Sequence, residues 1–187
     1  MALTKLNARS ATALDATVLT GNLPAISGAS LTGIGITEVD QWRLSANLTG
    51  SATPITSNWE RSDTTGFDKL GTGLTESSGI FSFPSTGIYL IYAQMSVQFN
   101  EEDTDSIMSI ATTTNNSSYT AQSTTREADK NTDGRRHAMS CMAVFDVTNT
   151  TNCKFRIDAQ SVASSNVVSG SSGETITGFT VFRIGDT

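Results

Sequence analysis

From Asp40 onward, apolar and polar residues alternate along the chain with a period of two. This period is typical of β-strands, in which successive side chains point to opposite faces. The clearest strand spans residues 87–100, with one face formed by Tyr89, Ile91, Ala93, Met95, Val97 and Phe99. The other face is apolar only at its start, at Ile88, Leu90 and Tyr92. We therefore expect that end of the strand to be covered on both sides.

Further short segments have strand character and are separated by turn signals rich in Gly, Pro, Asn and Ser. The predicted strands are 42–48, 55–62, 73–83, 106–114, 119–126, 135–147, 153–162 and 174–184, and the turns are 84–87, 115–118, 131–134, 148–152 and 169–173. No segment between them has helical periodicity. Many short strands at this spacing predict an all-β fold, an antiparallel jelly-roll sandwich spanning residues 40–187.

Residues 1–39 form a different kind of segment, with no Phe, Tyr or Trp. Leu19-Thr20-Gly21 returns as Leu31-Thr32-Gly33 twelve residues later, which is a weak internal repeat. Such a segment cannot close a core by itself, because ordering it costs more than its few apolar side chains return. We interpret it as an extended anchor that buries its leucines against a partner, with a disordered leader as the alternative. The candidate attachment residues are Leu19, Leu23, Ile26 and Leu31.

Charge and hydropathy exclude two classes of partner. The chain has 187 residues and a formal net charge of −6, so it lacks the excess of Lys and Arg that binding to nucleic acid requires. No apolar run approaches the roughly 20 residues that span a bilayer, and the N-terminus lacks the apolar core of a signal peptide. We expect neither nucleic-acid binding nor membrane insertion.

One set of spacings resembles a known family. Phe81 follows Leu74 by seven residues, Gly87 follows after six more, and Tyr89 after two. This resembles the signature of the globular heads of complement component one q, a family related to the tumour necrosis factor jelly rolls. Near the C-terminus, 176–179 is similar to the last strand of the family. The signature positions carried over are Leu74, Phe81, Gly87, Tyr89, Ile91, Gly178 and Phe179.

The resemblance implies a homotrimer in which the sheet carrying the Gly-x-Tyr strand packs around a threefold axis. Aromatic and aliphatic residues of that strand would then anchor the subunits to one another. Their roles would be those of a core and an interface, not of catalysis.

A short leader before a trimeric β head resembles structural proteins of tailed bacteriophages, especially those of marine hosts. This implies a non-enzymatic capsid decoration (cement) or head-fibre protein, assembled in the host cytoplasm and located on the virion surface. Its partners would be itself and the major capsid protein or another virion protein. The alternative is a tail-fibre or tail-tip module that recognises a host glycan or protein. A hydrolase on a β scaffold is the third hypothesis.

The sequence carries few residues suited to catalysis or metal binding. His137 is the only histidine and is expected to be a solvated residue at a turn edge, there is no CxxC pair, and no glycine-rich phosphate loop precedes a helix. We propose no cofactor. Glu101, Glu102, Asp103 and Asp105 form an acidic cluster that could bind calcium if the carboxylates converge, and a solvated loop is the alternative.

Two further features are expected to be ordinary. Cys141 and Cys153 lie in neighbouring predicted strands, but a turn at 149–150 would pair Cys141 with about Asp158 instead, so both are expected to be reduced thiols. A basic cluster at Arg126, Lys130, Arg135 and Arg136, mixed with acidic residues, is expected to be a solvated turn that could serve as a contact patch.

Overall fold

The computed structural model describes residues 35–130 and 132–187, and the regular secondary structure of these residues consists of β-strands without any α-helix. The strands are β1 (Val39–Leu44), β2 (Leu48–Thr49), β3 (Trp59–Arg61), β4 (Thr75–Ser77), β5 (Ile80–Ser82), β6 (Gly87–Phe99), β7 (Asp103–Thr113), β8 (Thr120–Asp129), β9 (Arg135–Val147), β10 (Lys154–Gln160), β11 (Val167–Val168) and β12 (Gly178–Gly185). The prediction of an all-β fold is confirmed. No described segment is a helix that could cross a membrane.

The strands form two antiparallel sheets that pack face to face. Sheet A runs in the order β9, β6, β12, β1, β3, with β11 and β2 beside the second half of β6. Sheet B runs in the order β4, β5, β10, β7, β8. Every described strand pairing is antiparallel, as in the predicted sandwich.

Strand β6 divides its side chains between the core and the surface as its sequence predicts. Its inward face, from Tyr89 to Phe99, is buried at every second position. Ile88 and Leu90 on the opposite face are only partly buried, and Tyr92 is exposed. The apolar start of this strand is therefore covered on one side only within the protomer, which differs from the expectation that both sides would be covered.

The centre of the core is an aromatic cluster around Phe81. From sheet B, Phe81 reaches Phe179 of sheet A with ring centroids 4.6 Å apart, and Trp42 and Trp59 at 5.4 and 5.3 Å. It also stacks on Phe155 of its own sheet at 5.2 Å. Aromatic pairs in such edge-to-face and stacked arrangements add to the free energy of simple area burial. Phe81 therefore joins the two sheets.

The sequence prediction of one strand at 73–83 is wrong in detail. The segment is a hairpin of β4 and β5, with Ser78 and Gly79 in the turn at φ of 53° and 80°. Two successive residues with positive φ are the signature of the tight turn whose twist matches that of paired strands. A side chain at Gly79 would also collide with the backbone of Ile55.

The prediction that a turn at 149–150 pairs the two strands beside it is also wrong. β9 pairs with β6 in sheet A, whereas β10 pairs with β5 and β7 in sheet B. The connection at 148–153 thus crosses from one sheet to the other. Crossing connections of this kind are what distinguish a sandwich from a simple meander.

The compact unit of the described chain begins at Gly35, inside the segment 1–39 that sequence analysis separates from the head. The carboxylate of Glu38 accepts hydrogen bonds from the backbone N–H groups of Thr72 and Gly73, at 3.1 and 3.0 Å. Val39 is the first residue of β1 and bridges to Leu70. Residues 35–39 therefore contribute contacts to the head.

The central position of Phe81 predicts that truncating its side chain strongly lowers the stability of the fold. Phe81→Ala should lower the free energy of unfolding by about 3–5 kcal/mol, because it removes a buried ring and leaves a cavity between the sheets. Phe81→Leu, which keeps much of the apolar volume, should lose clearly less. Urea denaturation followed by tryptophan fluorescence measures both, since Trp42 and Trp59 lie against this ring. Equal stability of Phe81→Ala and the parent would show that the sheets are held together elsewhere.

Candidate oligomer interface

An apolar row crosses the outer face of sheet A from one edge to the other. Val144 lies opposite Leu90, Leu90 opposite Phe182, Phe182 opposite Val39, and Val39 opposite Leu70. Residues directly opposite each other in antiparallel strands share a face, so the row forms one surface. Four steps at the usual strand spacing span about 19 Å. We call this surface the apolar row.

Exposure is greatest at the two ends of the apolar row. At one end, Val144 is 62% exposed, and the adjacent Met142 and Tyr92 are 63% and 41% exposed. We call these three residues the β9 patch. At the other end, Leu70 is 49% exposed, and Ile36 and Phe67, which precede the two bridged residues in sequence, are exposed as well. We group these three exposed residues by their closeness in sequence to the Val39–Leu70 bridge and call them the Leu70 patch.

The apolar character of the β6–β9 face ends halfway along the strands. Beyond Tyr92 and Met142, the next two outward pairs are Gln94 with Ser140 and Ser96 with Ala138. Gln94 donates to the backbone oxygens of residues 175 and 176, and so closes off the neighbouring loop. The exposed apolar surface is thus confined to the half of sheet A near the start of β6.

The residues of the family-like signature lie in the interior of the protomer. All but Gly87 and Gly178 are large apolar or aromatic residues with almost no exposed surface, namely Leu74, Phe81, Tyr89, Ile91 and Phe179. Their side chains are not available to another copy of the chain. Contacts between copies that involve β6 must instead use its opposite face, which carries Leu90 and Tyr92.

The two signature glycines are required by the backbone. Gly87 has a φ of 143°, and a Cβ there would lie 2.7 Å from the backbone oxygen of Gly185. Gly178 allows β12 to approach β1 so closely that a Cβ would collide with the backbone oxygen of Trp42. Both positions therefore exclude larger residues.

Tyr89 fixes the turn before β6. Its hydroxyl donates to the backbone oxygen of Ser85 at 3.0 Å and lies 3.0 Å from the Ser85 hydroxyl. Burial raises the pKa of Tyr89, although the Ser85 hydroxyl acts in the opposite direction. A buried phenol with a satisfied hydroxyl is a structural group, which agrees with its place in the core.

The acidic cluster does not converge on one point. Asp103 is buried and accepts hydrogen bonds from four donors, which belong to Asp105, Ser106, Ala163 and Asn166. These bonds tie the start of β7 to the loop at 161–166, so Asp103 serves as a structural carboxylate.

The other carboxylates of the cluster point to different partners. Asp105 forms an ion pair with Arg126 at 2.6 Å, Glu101 accepts from the backbone N–H of Ser165, and Glu102 is exposed. Within the part of the chain that the structure describes, no group of three or more His, Cys, Asp or Glu residues could hold a metal. Calcium binding by residues 101–105 stays a prediction.

Two buried carboxylates have pKa values that move in opposite directions. Burial alone would raise the pKa of Asp103, but the hydrogen bonds from Asp105, Ala163, Ser106 and Asn166 together lower it. On the outer face of sheet B, burial raises the pKa of Asp158, and the attraction of Arg156 at 3.0 Å offsets this only in part. The same chemical group therefore stabilises the fold at one site and opposes it at the other.

The expectation of a solvated histidine at a turn edge is wrong. The side chain of His137 is 33% exposed, lies between the carboxylates of Glu127 and Asp129, and contacts the ring of Phe99. Of the neighbouring arginines, Arg135 pairs with Asp133, and Arg136 donates to Gln98. This corner of the head is an organised set of polar contacts.

Both cysteines are free thiols, as predicted. Cys153 is buried, and Cys141 is half-buried with its Sγ atom 3.9 Å from the backbone oxygen of Ser123. Burial raises the pKa of the Cys141 thiol. Cys141 is therefore poorly suited to act as a nucleophile.

The candidate attachment residues Leu19, Leu23, Ile26 and Leu31 lie outside the described residues. The residues of the apolar row and its two patches that sequence analysis missed include Met142, Val144, Leu70 and Phe182. Residues 141–145 carry a signal for two of them, because both faces of that stretch are apolar. Leu70 and Phe182 could not have been found from local pattern, since their place depends on how distant strands pair.

Comparison with known proteins supports the architecture. No protein-family model and no curated protein matches the sequence. Among solved structures, murine APRIL at pH 5.0 is similar with a TM-score of 0.57 and 14% identity, over 79% of this chain and 98% of that one. Eiger TNF from S. frugiperda is similar with a TM-score of 0.56 and 13% identity, over 80% and 93%. The chain therefore has a jelly-roll fold of the TNF type, as the sequence predicts.

The two buried carboxylates give opposite pH predictions. Because its folded-state pKa is lowered, Asp103 contributes stability above the unfolded-state pKa, and this stability is lost as the pH falls. Asp103→Asn should cost about 1–3 kcal/mol at pH 7 and progressively less towards pH 3. Because its folded-state pKa is raised, ionised Asp158 opposes folding, so Asp158→Asn should gain stability relative to the parent as the pH rises from 3 to 7.

Urea titrations of the parent and both variants at pH 3, 5 and 7 measure these differences. Each variant serves as the control for the other, since both replace one buried carboxylate by an amide. Parallel pH profiles for the two variants would contradict the assignment.

Proposed function

We propose that this protein is a non-enzymatic structural homotrimer displayed on the surface of a virus particle, as a capsid decoration or head-fibre protein anchored by residues 1–34. The observation that supports the oligomeric part of the proposal is the apolar row, with the β9 patch at one end and the Leu70 patch at the other. The location on a particle rests on the resemblance of the leader and head to phage structural proteins. Soluble monomers rarely expose contiguous apolar surface of this kind without a partner.

The arrangement of the two patches favours a ring of three copies. The patches differ in composition and lie at opposite edges of one face, so the β9 patch of one copy can pack on the Leu70 patch of the next. Such a head-to-tail contact closes into a ring when the rotation between copies is a simple fraction of a turn. The resemblance to trimeric jelly-roll heads favours a threefold ring.

We infer that the head has an anchor end, where the chain enters it, and a free end at the opposite ends of the long strands. Val39 is opposite Phe182, so the chain enters the head beside the end of β12 and the start of β6. The loops at 100–102, 130–134 and 161–166 lie at the other ends of these long strands. An N-terminal anchor would therefore leave these loops pointing away from the particle.

The free end supports a second candidate function. It carries exposed charges of both signs, with Glu102 and Lys130 in the loops and Arg135 and Arg136 at the start of β9. Exposed loops on a rigid β scaffold are common recognition sites. A receptor-binding role at a tail tip would use them, and the number of copies per particle separates the alternatives, since hundreds indicate a capsid location and a few trimers indicate a tail.

If the apolar row is the trimer interface, a charge introduced into it should dissociate the trimer. Val144→Asp or Leu70→Asp should convert a stable trimer at micromolar concentration into a monomer, because each places a carboxylate where burial of an apolar side chain contributes about 1.5–3 kcal/mol. Gln122→Asp, at an exposed position of β8, is the matched control and should remain trimeric. Light scattering coupled to gel filtration measures the mass. A parent protein that runs as a clean monomer would remove the proposal.

The proposed anchor predicts that removing it abolishes binding to the particle but leaves the head folded. Deleting residues 1–34 should leave a folded trimer of nearly unchanged melting temperature, since Gly35–Thr187 is a compact unit. Binding to purified particles that lack the native protein should then be lost, because three anchors act together through the trimer. Leu23→Asp and Leu31→Asp should each weaken binding more than Gln122→Asp does. Equal occupancy by the truncated and full-length trimers would place the docking surface on the head.

A further inference from the structure

One edge of the sandwich is closed by side chains and not by a strand ladder. β8 is an edge strand of sheet B and pairs only with β7, and β9 is an edge strand of sheet A and pairs only with β6. Among the described strands, no ladder joins β8 to β9, although the two run side by side and are consecutive in the chain. We call this the β8–β9 edge. Contacts between β8 and β9 across this edge must therefore involve side chains.

His137 and Cys141 of β9 both reach β8 across this edge, and His137 is the one that meets charged groups there. From β9, its Nε2 atom lies 3.1 Å from Oδ2 of Asp129, and its Nδ1 atom lies 3.4 Å from Oε2 of Glu127, both on β8. The ring of Phe99 packs edge-on against the imidazole at 5.1 Å. The imidazole is therefore held with one nitrogen facing each carboxylate.

This geometry has a chemical requirement. A neutral imidazole has one N–H donor and one lone pair, whereas a protonated imidazole has two donors. An ionised carboxylate has no proton to donate, so it can act only as a hydrogen-bond acceptor. The neutral ring can thus satisfy one of the two contacts, and its lone pair repels the other carboxylate. Only the protonated ring can donate to Glu127 and Asp129 together.

We propose that protonation of His137 closes the β8–β9 edge by turning the imidazole into a clasp between Glu127 and Asp129. Loss of the proton releases one of the two contacts and loosens the edge. Histidine is the side chain whose charge ordinarily changes near physiological pH, so the clasp is engaged when His137 carries the second proton and released when it does not.

The charged groups around the clasp have their own contacts. On β8, Arg126 pairs with Asp105, which leaves the β8 face of the imidazole to Glu127 and Asp129. On β9, Arg135 pairs with Asp133.

Strands β7 and β6 also pack against the clasp, and of their residues beside it only Asp103 of β7 is charged. On β7, Asp103 lies opposite Asp129 in the ladder and is held by its own four donors. On β6, Arg136 of β9 meets the neutral Gln98, and Phe99 carries no charge. Asp103 titrates in the acidic range below the window of histidine, so the two transitions are separable.

The clasp sits at the base of the loop at 130–134. Residues 129 and 135 are the strand ends that flank this loop. Closing the edge holds these two strand ends together, and opening it releases them. The inference concerns the head alone and does not depend on the proposed location on a particle.

Hydrogen exchange at pH 5.5 and pH 8.0, corrected for intrinsic rates, tests the clasp on the full-length protein. Amides of β8 and β9 near 127–137 should be about two- to fivefold better protected at pH 5.5 in the parent, the range that an ion pair of partial exposure provides. His137→Gln should lose this pH dependence, and Glu127→Gln should reduce it. Asp133→Asn, which removes a neighbouring carboxylate outside the clasp, is the matched control and should retain it.

A second measurement needs no variant. His137 is the only histidine of the chain, so its ring nitrogen signals in a ¹⁵N spectrum are unambiguous. The nitrogen shifts and the protection of β8 and β9 should change with the same midpoint. Equal protection at both pH values, a pH dependence that persists in His137→Gln, or two different midpoints would overturn the proposal.

Discussion

The contact of Phe81 with three rings of the facing sheet is the interaction on which the rest of the structure depends. A sandwich of two sheets has no covalent or hydrogen-bonded connection through its core, so the relative placement of the sheets rests on packing. Phe81 lies in a strand of only three residues, and its ring meets Trp42, Trp59 and Phe179 within 5.4 Å. Strands β1, β3 and β12 therefore all pack against Phe81, and Phe155 of sheet B adds a second contact to Phe179 at 5.1 Å.

Those same strands build the outer face of sheet A. Once Phe179 is fixed inward, its neighbours Thr180 and Phe182 follow the alternation of the strand, and Phe182 is brought into line between Leu90 and Val39. The interior packing and the exposed apolar row are thus two consequences of one register. A one-residue slip of β12 would both empty the core and break the row, because it would turn every side chain to the other face.

Much of this was readable from the sequence because strands carry their own period. The alternation in 87–100 predicted β6 and its buried face, and the spacing of Leu74, Phe81, Gly87 and Tyr89 indicated the jelly roll. The hairpin at Ser78 and Gly79 was missed because Ser and Gly are common throughout the chain. The sequence does not show that both residues adopt positive φ here, which is what makes the turn. The apolar row was missed because it joins residues as distant as Leu70 and Val144, whose adjacency is a property of topology. The environment of His137 was misjudged for the same reason, since its partners belong to another sheet.

The entry of the chain beside the end of β12 has a practical consequence for anyone who wishes to display a foreign peptide on this scaffold. Insertion between Thr132 and Asp133, which are both exposed, would place a guest sequence at the end of the long strands remote from Val39, where added length costs little entropy. A guest joined after Gly185 would emerge beside Val39 and the apolar row, and would compete for the space that neighbouring copies need. The two ends of one small domain thus differ sharply as grafting sites, and pairing of β1 with β12 is what makes them differ.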